Sequence, residues 1–181
     1  AAEYQSVIDY CLSQGEEMLA NFGRLHLAGK LAGDGETAVA VSLLEGRMPE
    51  IEATGYPRLI GEVHARLAAM KLALGWREAA DEHASRAVAH ASGIANTLLL
   101  VQAHEVLYQN ALHRGDTAAA LAHYQRYADA DRAYLDQVKA RELAFQMARH
   151  ESLQKTQTIA LLNGQNDVLQ LERQVALKTA E

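Results

Sequence analysis

The sequence predicts an all-α fold, a solenoid of helical hairpins followed by a long, coiled-coil-like C-terminal helix. Three observations lead there. First, one unit is written three times at a spacing of forty residues: Leu27-Ala28…Gly35-Glu36-Thr37-Ala38-Val39-Ala40, Leu67-Ala68…Gly75-Trp76-Arg77-Glu78-Ala79-Ala80 and Leu107-Tyr108…Gly115-Asp116-Thr117-Ala118-Ala119-Ala120. A fixed period of roughly 20 to 50 residues is the signature of stacked supersecondary units. Second, the chain holds only two prolines among its 181 residues and is rich in strong helix formers, with no strand-like alternation. Third, the period fails after Gly115, with no further glycine before Gly164.

In chain order, residues 3–14 form a helix that ends at Gly15, with equivalent stops at Gly55 and Gly93, where a left-handed residue closes a helix. This first helix reads as the second half of a preceding, truncated repeat. The first complete hairpin has a helix from Glu16 to Ala32, the turn Gly33-Asp34-Gly35, and a helix from Glu36 to Thr54. Pro49 removes a backbone donor from the latter and predicts a break near Gly46–Met48. The second hairpin runs from Pro57 to Leu74 and from Trp76 to Ala91, with Pro57 suited to a first helical turn. The third has a helix from Ala95 to His113, a turn at Arg114-Gly115-Asp116, and a last helix that begins at Thr117 and runs well past its predecessors.

The recurring positions resemble the tetratricopeptide repeat. Leu27, Leu67 and Leu107 fall on the family's first-helix leucine, Ala28 and Ala68 on the small residue after it, and Ala40, Ala80 and Ala120 on the small residue where the two helices cross. Arg24, His64 and His104 stand where the family opens with tryptophan, and forty residues exceed the usual period, so the array is divergent, with long helices. The repeat domain is expected over residues 1–130 and a helical stalk over 131–181. Along the stalk a heptad can be threaded through Ala140, Leu143, Met147, His150, Gln154, Gln157, Leu161, Gly164, Val168, Leu171 and Val175; several of these core positions are polar, so the coiled coil is weakly specified in the middle and firmer at its end. A helix that long, beyond the end of the solenoid, needs a second copy or another domain to cover its stripe.

The succession of repeats, Tyr124-Gln125-Arg126-Tyr127, a Lys-Ala-Arg-Glu-Leu-Ala stretch from Lys139, and Ile159-Ala160-Leu161-Leu162-Asn163 resembles the extracytoplasmic repeat region of bacterial membrane-bound signalling proteins. That resemblance implies a sensor on the periplasmic face of an inner-membrane protein, one transmembrane helix, and an output domain, a diguanylate cyclase or otherwise a histidine kinase. The chain carries neither of the last two, and it opens without methionine inside a helix, so it is expected to be a piece of a longer protein.

Composition narrows the function classes. A net charge of −6 leaves no basic stripe for nucleic acid, and no run of about 18 apolar residues spans a membrane. The single Cys11 lies in the apolar run Val7–Leu12 and is expected as a buried inert thiol, which leaves the compartment open. No nucleophile elbow, phosphate-cradling glycine loop or cofactor motif is present, so neither an enzyme nor a cofactor is expected. The eight histidines raise the question of a metal. His64 and His104 could approach one another across stacked helices but are expected as packing residues, His83 and His90 as solvated, and no metal site is assigned. Tyr108 and Trp76 are expected in the core.

A binding groove is expected along the first helices, with Glu62, Ala65, Ala69, Gln102, Glu105, Gln109 and His113 as candidates to meet a protein, a peptide or a small molecule. The expected function is a ligand- or protein-binding sensor that forms a homodimer through the C-terminal helix. The alternative is a cytoplasmic adaptor that holds a partner peptide, with the tail as a coiled-coil contact.

Overall fold

The computed structural model describes residues 1–91 and 96–179. Its elements are α1 (Ala2–Ser13), α2 (Glu17–Gly33), α3 (Thr37–Glu45), α4 (Met48–Ala53), α5 (Pro57–Ala73), α6 (Arg77–Ala91), α7 (Thr97–His113) and α8 (Thr117–Thr179). No strand occurs among the described residues. The expected stop at Gly93 and helix start at Ala95 lie outside them. The chain divides into two units, Ala1–Tyr134 and Leu135–Glu181, with α8 contributing to both.

The first unit is a solenoid of helical hairpins. Neighbours in sequence pack on one another, as α1 on α2, α2 on α3, α5 on α6 and α6 on α7; the first helices α2, α5 and α7 also touch in succession. The hairpins are punctuated by one device. At Gly35 and Gly75 the backbone turns left-handed, with φ of 91° and 79°, a conformation that costs a side chain roughly 1–2 kcal/mol. The turn lets the amide after each glycine reach back to the helix end, Glu36 to the Leu31 carbonyl at 2.9 Å and Trp76 to the Lys71 carbonyl at 2.8 Å. The next helix then starts within two residues. Pro49 acts as expected: the second helix of the first hairpin is interrupted between Glu45 and Met48, and the proline sits in the first turn of α4.

Packing follows the recurring positions. Leu27, Leu67 and Leu107 are buried, as are Ala40, Ala80 and Ala120 at the helix crossings. The buried face of α6 consists of Ala80, Ala84, Ala87 and Ala91, so α6 lies close against both α5 and α7. Arg24, His64 and His104 are all buried between helices. Two aromatic expectations divide. Tyr108 is half-buried, its ring centroid 5.4 Å from that of Tyr124. Trp76 is 50% exposed, because it occupies the residue after the turn glycine, whose amide and not its side chain is used by the cap. Cys11 is partly exposed rather than buried, packing at the edge of the small cluster that Ile8 of α1 forms with Ala20 and Leu27 of α2.

In the second unit every described side chain from Leu135 onward is exposed. The helix passes through Gly164, where an added Cβ would meet nothing within 4 Å. Gly164→Ala is therefore expected to stabilise this stretch of helix by about 1 kcal/mol, read as a higher helical content of the full chain on heating by circular dichroism; a loss of helix would contradict it.

Candidate functional site

The first-helix face is built by helical spacing. On α5, Glu62, Ala65, Arg66 and Ala69 lie at i, i+3, i+4 and i+7, and on α7, Gln102, Glu105 and Gln109 do likewise. Between these helices opens a cleft of about 520 Å³ whose lining includes Ala65, Ala69, Gln102, Glu105 and Gln109. Ala65 is buried and forms floor, whereas the others reach solvent. Glu62 lines an adjoining cleft of about 250 Å³ toward α2, and Arg66 and Gln102 are common to both. His113 is exposed at the end of α7 and lines neither.

Two cations that the sequence reading passed over give the larger cleft its electrostatic character. Arg66 has no ion-pair partner among the described residues, and its guanidinium lies over Gly29 of α2, 3.6 Å from where a Cβ there would be. Arg77 donates from Nη1 to the Asn110 Oδ1 at 3.0 Å and, among the described residues, has no carboxylate in ion-pair contact. Glu62, by contrast, is neutralised by Arg58 at 2.9 Å, a hydrogen bond that raises the Arg58 pKa. The larger cleft thus joins two unpaired guanidiniums, the Glu105 carboxylate and two amides over small side chains. Such a lining suits a polar ligand with an anionic group. Arg66 was legible from the same spacing that selected Glu62 and Ala69, whereas Arg77 comes from the start of a second helix and carried no such signal.

A second constellation lies inside the hairpins. His64 does not approach His104; each pairs within its own hairpin. His64 Nδ1 lies 2.8 Å from His83 Nδ1, and His104 Nδ1 lies 3.3 Å from His123 Nδ1. The two pairs repeat at the forty-residue period. His83 and His90, expected in solvent, are both partly buried, and the His90 ring stacks on His64 with centroids 6.0 Å apart. The reason is that α6 turns this face toward α5 because its alanines permit close approach. Burial, followed by the neighbouring His83, pushes the His64 pKa down to about 4, and burial, followed by His123, pushes His104 down to about 4. His83 and His123 are lowered as well, first by burial, then by Lys71 and Arg126 respectively. Among the described residues no group of three or more histidine, cysteine or acidic side chains is arranged to hold a metal.

Comparison with known protein families, with curated proteins and with solved structures finds no match to this chain. The stalk is a third candidate region beside the two constellations above.

There, Leu143, Met147, His150, Leu161, Val168, Leu171 and Val175 are all exposed. The C-terminal part of this seam forms a shallow furrow of about 590 Å³ over Gly164, flanked by Leu161, Val168 and Leu169. Phe145, Leu153 and Leu162 are exposed outside the heptad seam, so the apolar side chains of the stalk are not confined to one face of the helix. No helix of the described residues is long and apolar enough to cross a membrane.

Proposed function

We propose that this chain is the sensor and dimerisation module of a membrane-bound bacterial signalling protein, with a divergent tetratricopeptide array facing the periplasm and a diguanylate cyclase as the output domain. The observation that carries the reading is the set of uncovered apolar side chains on the stalk, densest from Ile159 to Val175, in a chain whose other unit presents a polar cleft. Fully burying one leucine, methionine or valine is worth roughly 1.5–3 kcal/mol, so several together favour pairing of two stalks over leaving them in water. A peptide or small anionic molecule held in the cleft by Arg66 and Arg77 then biases the output, provided that its affinity differs between the two states of the pair.

Sedimentation velocity of the full chain tests the dimer. A homodimer is expected that dissociates when Leu161 and Leu171 are both replaced by glutamate. Both side chains are exposed in the single chain, so the variant is expected to keep its helical content. A full chain that sediments as a monomer at micromolar concentration overturns the dimerisation reading. The periplasmic placement is tested in the gene, where an export signal upstream and an apolar segment of about 20 residues downstream are expected; their absence returns the cytoplasmic adaptor.

A further inference from the structure

Packing alone does not require histidine at the positions where His64 meets His83 and His104 meets His123. In the first hairpin the equivalent positions, forty residues earlier, hold Arg24 and Leu43. There Arg24 donates to Asn21 Oδ1 at 2.6 Å on its own helix, and Leu43 packs into the apolar core. The second and third hairpins instead carry a titratable ring on both sides of the contact, twice. In a neutral pair one Nδ1–H donates to the other Nδ1, and the contact is satisfied. One added proton puts a charge on rings of which His64 is 1% and His104 5% exposed. A second removes the acceptor and leaves two N–H groups facing each other across 2.8 or 3.3 Å.

We propose that the two histidine pairs form an acid-responsive latch, in which proton uptake detaches α6 from α5 and α8 from α7 while the first hairpin keeps its packing. The charged groups around each pair favour release. His64 is faced from α6 by His83, His90 and Arg86 and from α4 by Glu52, whose Oε1 is 3.9 Å from Nε2. Arg86 competes for that carboxylate at 3.6 Å. His83 feels Lys71 of α5, itself paired to Glu45 of α3 at 2.5 Å, and Glu82 on its own helix. His104 is faced by His123 and Arg126 of α8, and among the described residues it has no carboxylate in ion-pair contact. Asp81 and Arg114 act on His123 but are paired with each other. Each carboxylate that could favour the added charge, Glu52, Glu45, Glu82 and Asp81, is already engaged by a cation: Glu52 and Glu82 by Arg86, Glu45 by Lys71 and Asp81 by Arg114. The depressed pKa values agree with that geometry. Because α5 and α7 wall the 520 Å³ cleft, release of the helices behind them acts on the cleft too. The latch requires neither a particular ligand in the cleft nor pairing of the stalks.

Hydrogen exchange of the full chain read by mass spectrometry, at about pH 7.5 and about pH 5 and corrected for intrinsic exchange, tests it. At the lower pH, protection in α5, α6, α7 and residues 117–134 is expected to fall about tenfold or more beyond any change in α2 and α3. The double variant His104→Phe/His123→Leu is expected to abolish the fall in α7 and residues 117–134 and to leave it in α5 and α6. An equal fall in all hairpins, no fall, or a fall retained in α7 by the variant overturns the latch. Should that variant fail to fold, ring titration of the natural chain by NMR decides. Uptake by the paired rings that coincides with loss of protection supports the latch, and titration of those rings near pH 6.5 with unchanged amides overturns it.

Discussion

Lowering the pH from about 7.5 to about 5 is expected to remove roughly 4 kcal/mol of unfolding free energy, about 2 kcal/mol from each of His64 and His104. The sign follows from which state binds more protons. Unfolded, each ring titrates near 6.5; folded, each is held at about 4. Between those values the unfolded chain carries protons that the folded chain refuses, so stability is full above about pH 7 and declines as pH falls toward 4. His83 and His123 are shifted in the same direction and add to the slope. Against a typical total of about 5–15 kcal/mol, the loss is large enough to bring a domain of this size near its threshold. Urea unfolding followed by circular dichroism at the two pH values measures it. A difference under about 1 kcal/mol would mean that the rings are solvated and titrate normally.

The helices were legible because their ends are written in residues with one use. The glycines of the turns, Pro49 within the first hairpin and Pro57 at the start of α5 act through backbone geometry that no tertiary context overrides, and α5 and α8 begin where the sequence places their starts. The alanines at positions 40, 80 and 120 were legible for a similar reason, since only a small side chain lets two helix axes come close. The histidine pairs were hidden by the choice of period. Repeat spacing joins His64 to His104, whereas contact joins residues that lie on either side of a turn: His64 precedes Gly75 and His83 follows it, 19 residues apart, and His104 and His123 bracket Gly115 alike. Both pairs bracket a turn glycine, a relation that the repeat spacing does not express. Trp76 was misplaced for the opposite reason. An aromatic beside a turn reads as core, but the cap uses only its amide, and the side chain is left outside.

Asn110→Ala is expected to destabilise the chain by about 3 kcal/mol, the largest single-residue loss anticipated at the α6–α7 junction. Asn110 is fully buried and uses both ends of its amide: Nδ2 donates to the Arg77 carbonyl at 2.9 Å and to Asp81 Oδ1 at 2.8 Å, and Oδ1 accepts from Arg77 Nη1 at 3.0 Å. Truncation empties a fully buried site and leaves the Arg77 carbonyl and Asp81 Oδ1 each short of a donor, while the Arg77 guanidinium, which lines the cleft, loses its anchor. The earlier repeats cannot share this role, since Met70 and Lys30 stand at the equivalent positions. Asn110→Asp is the sharper test. It keeps the shape but sets a second carboxylate against Asp81, so the loss at neutral pH should exceed that of alanine and shrink on acidification, as one proton comes to be shared between the two acids. That trend is opposite to the one imposed by the histidines, so the Asp variant should show a flatter pH profile than the natural chain. Thermal unfolding of the three proteins across about pH 5 to 8 separates the effects. If the alanine variant melts as the natural chain does, the amide is replaceable by water, and Arg77 is held toward the cleft by something other than Asn110.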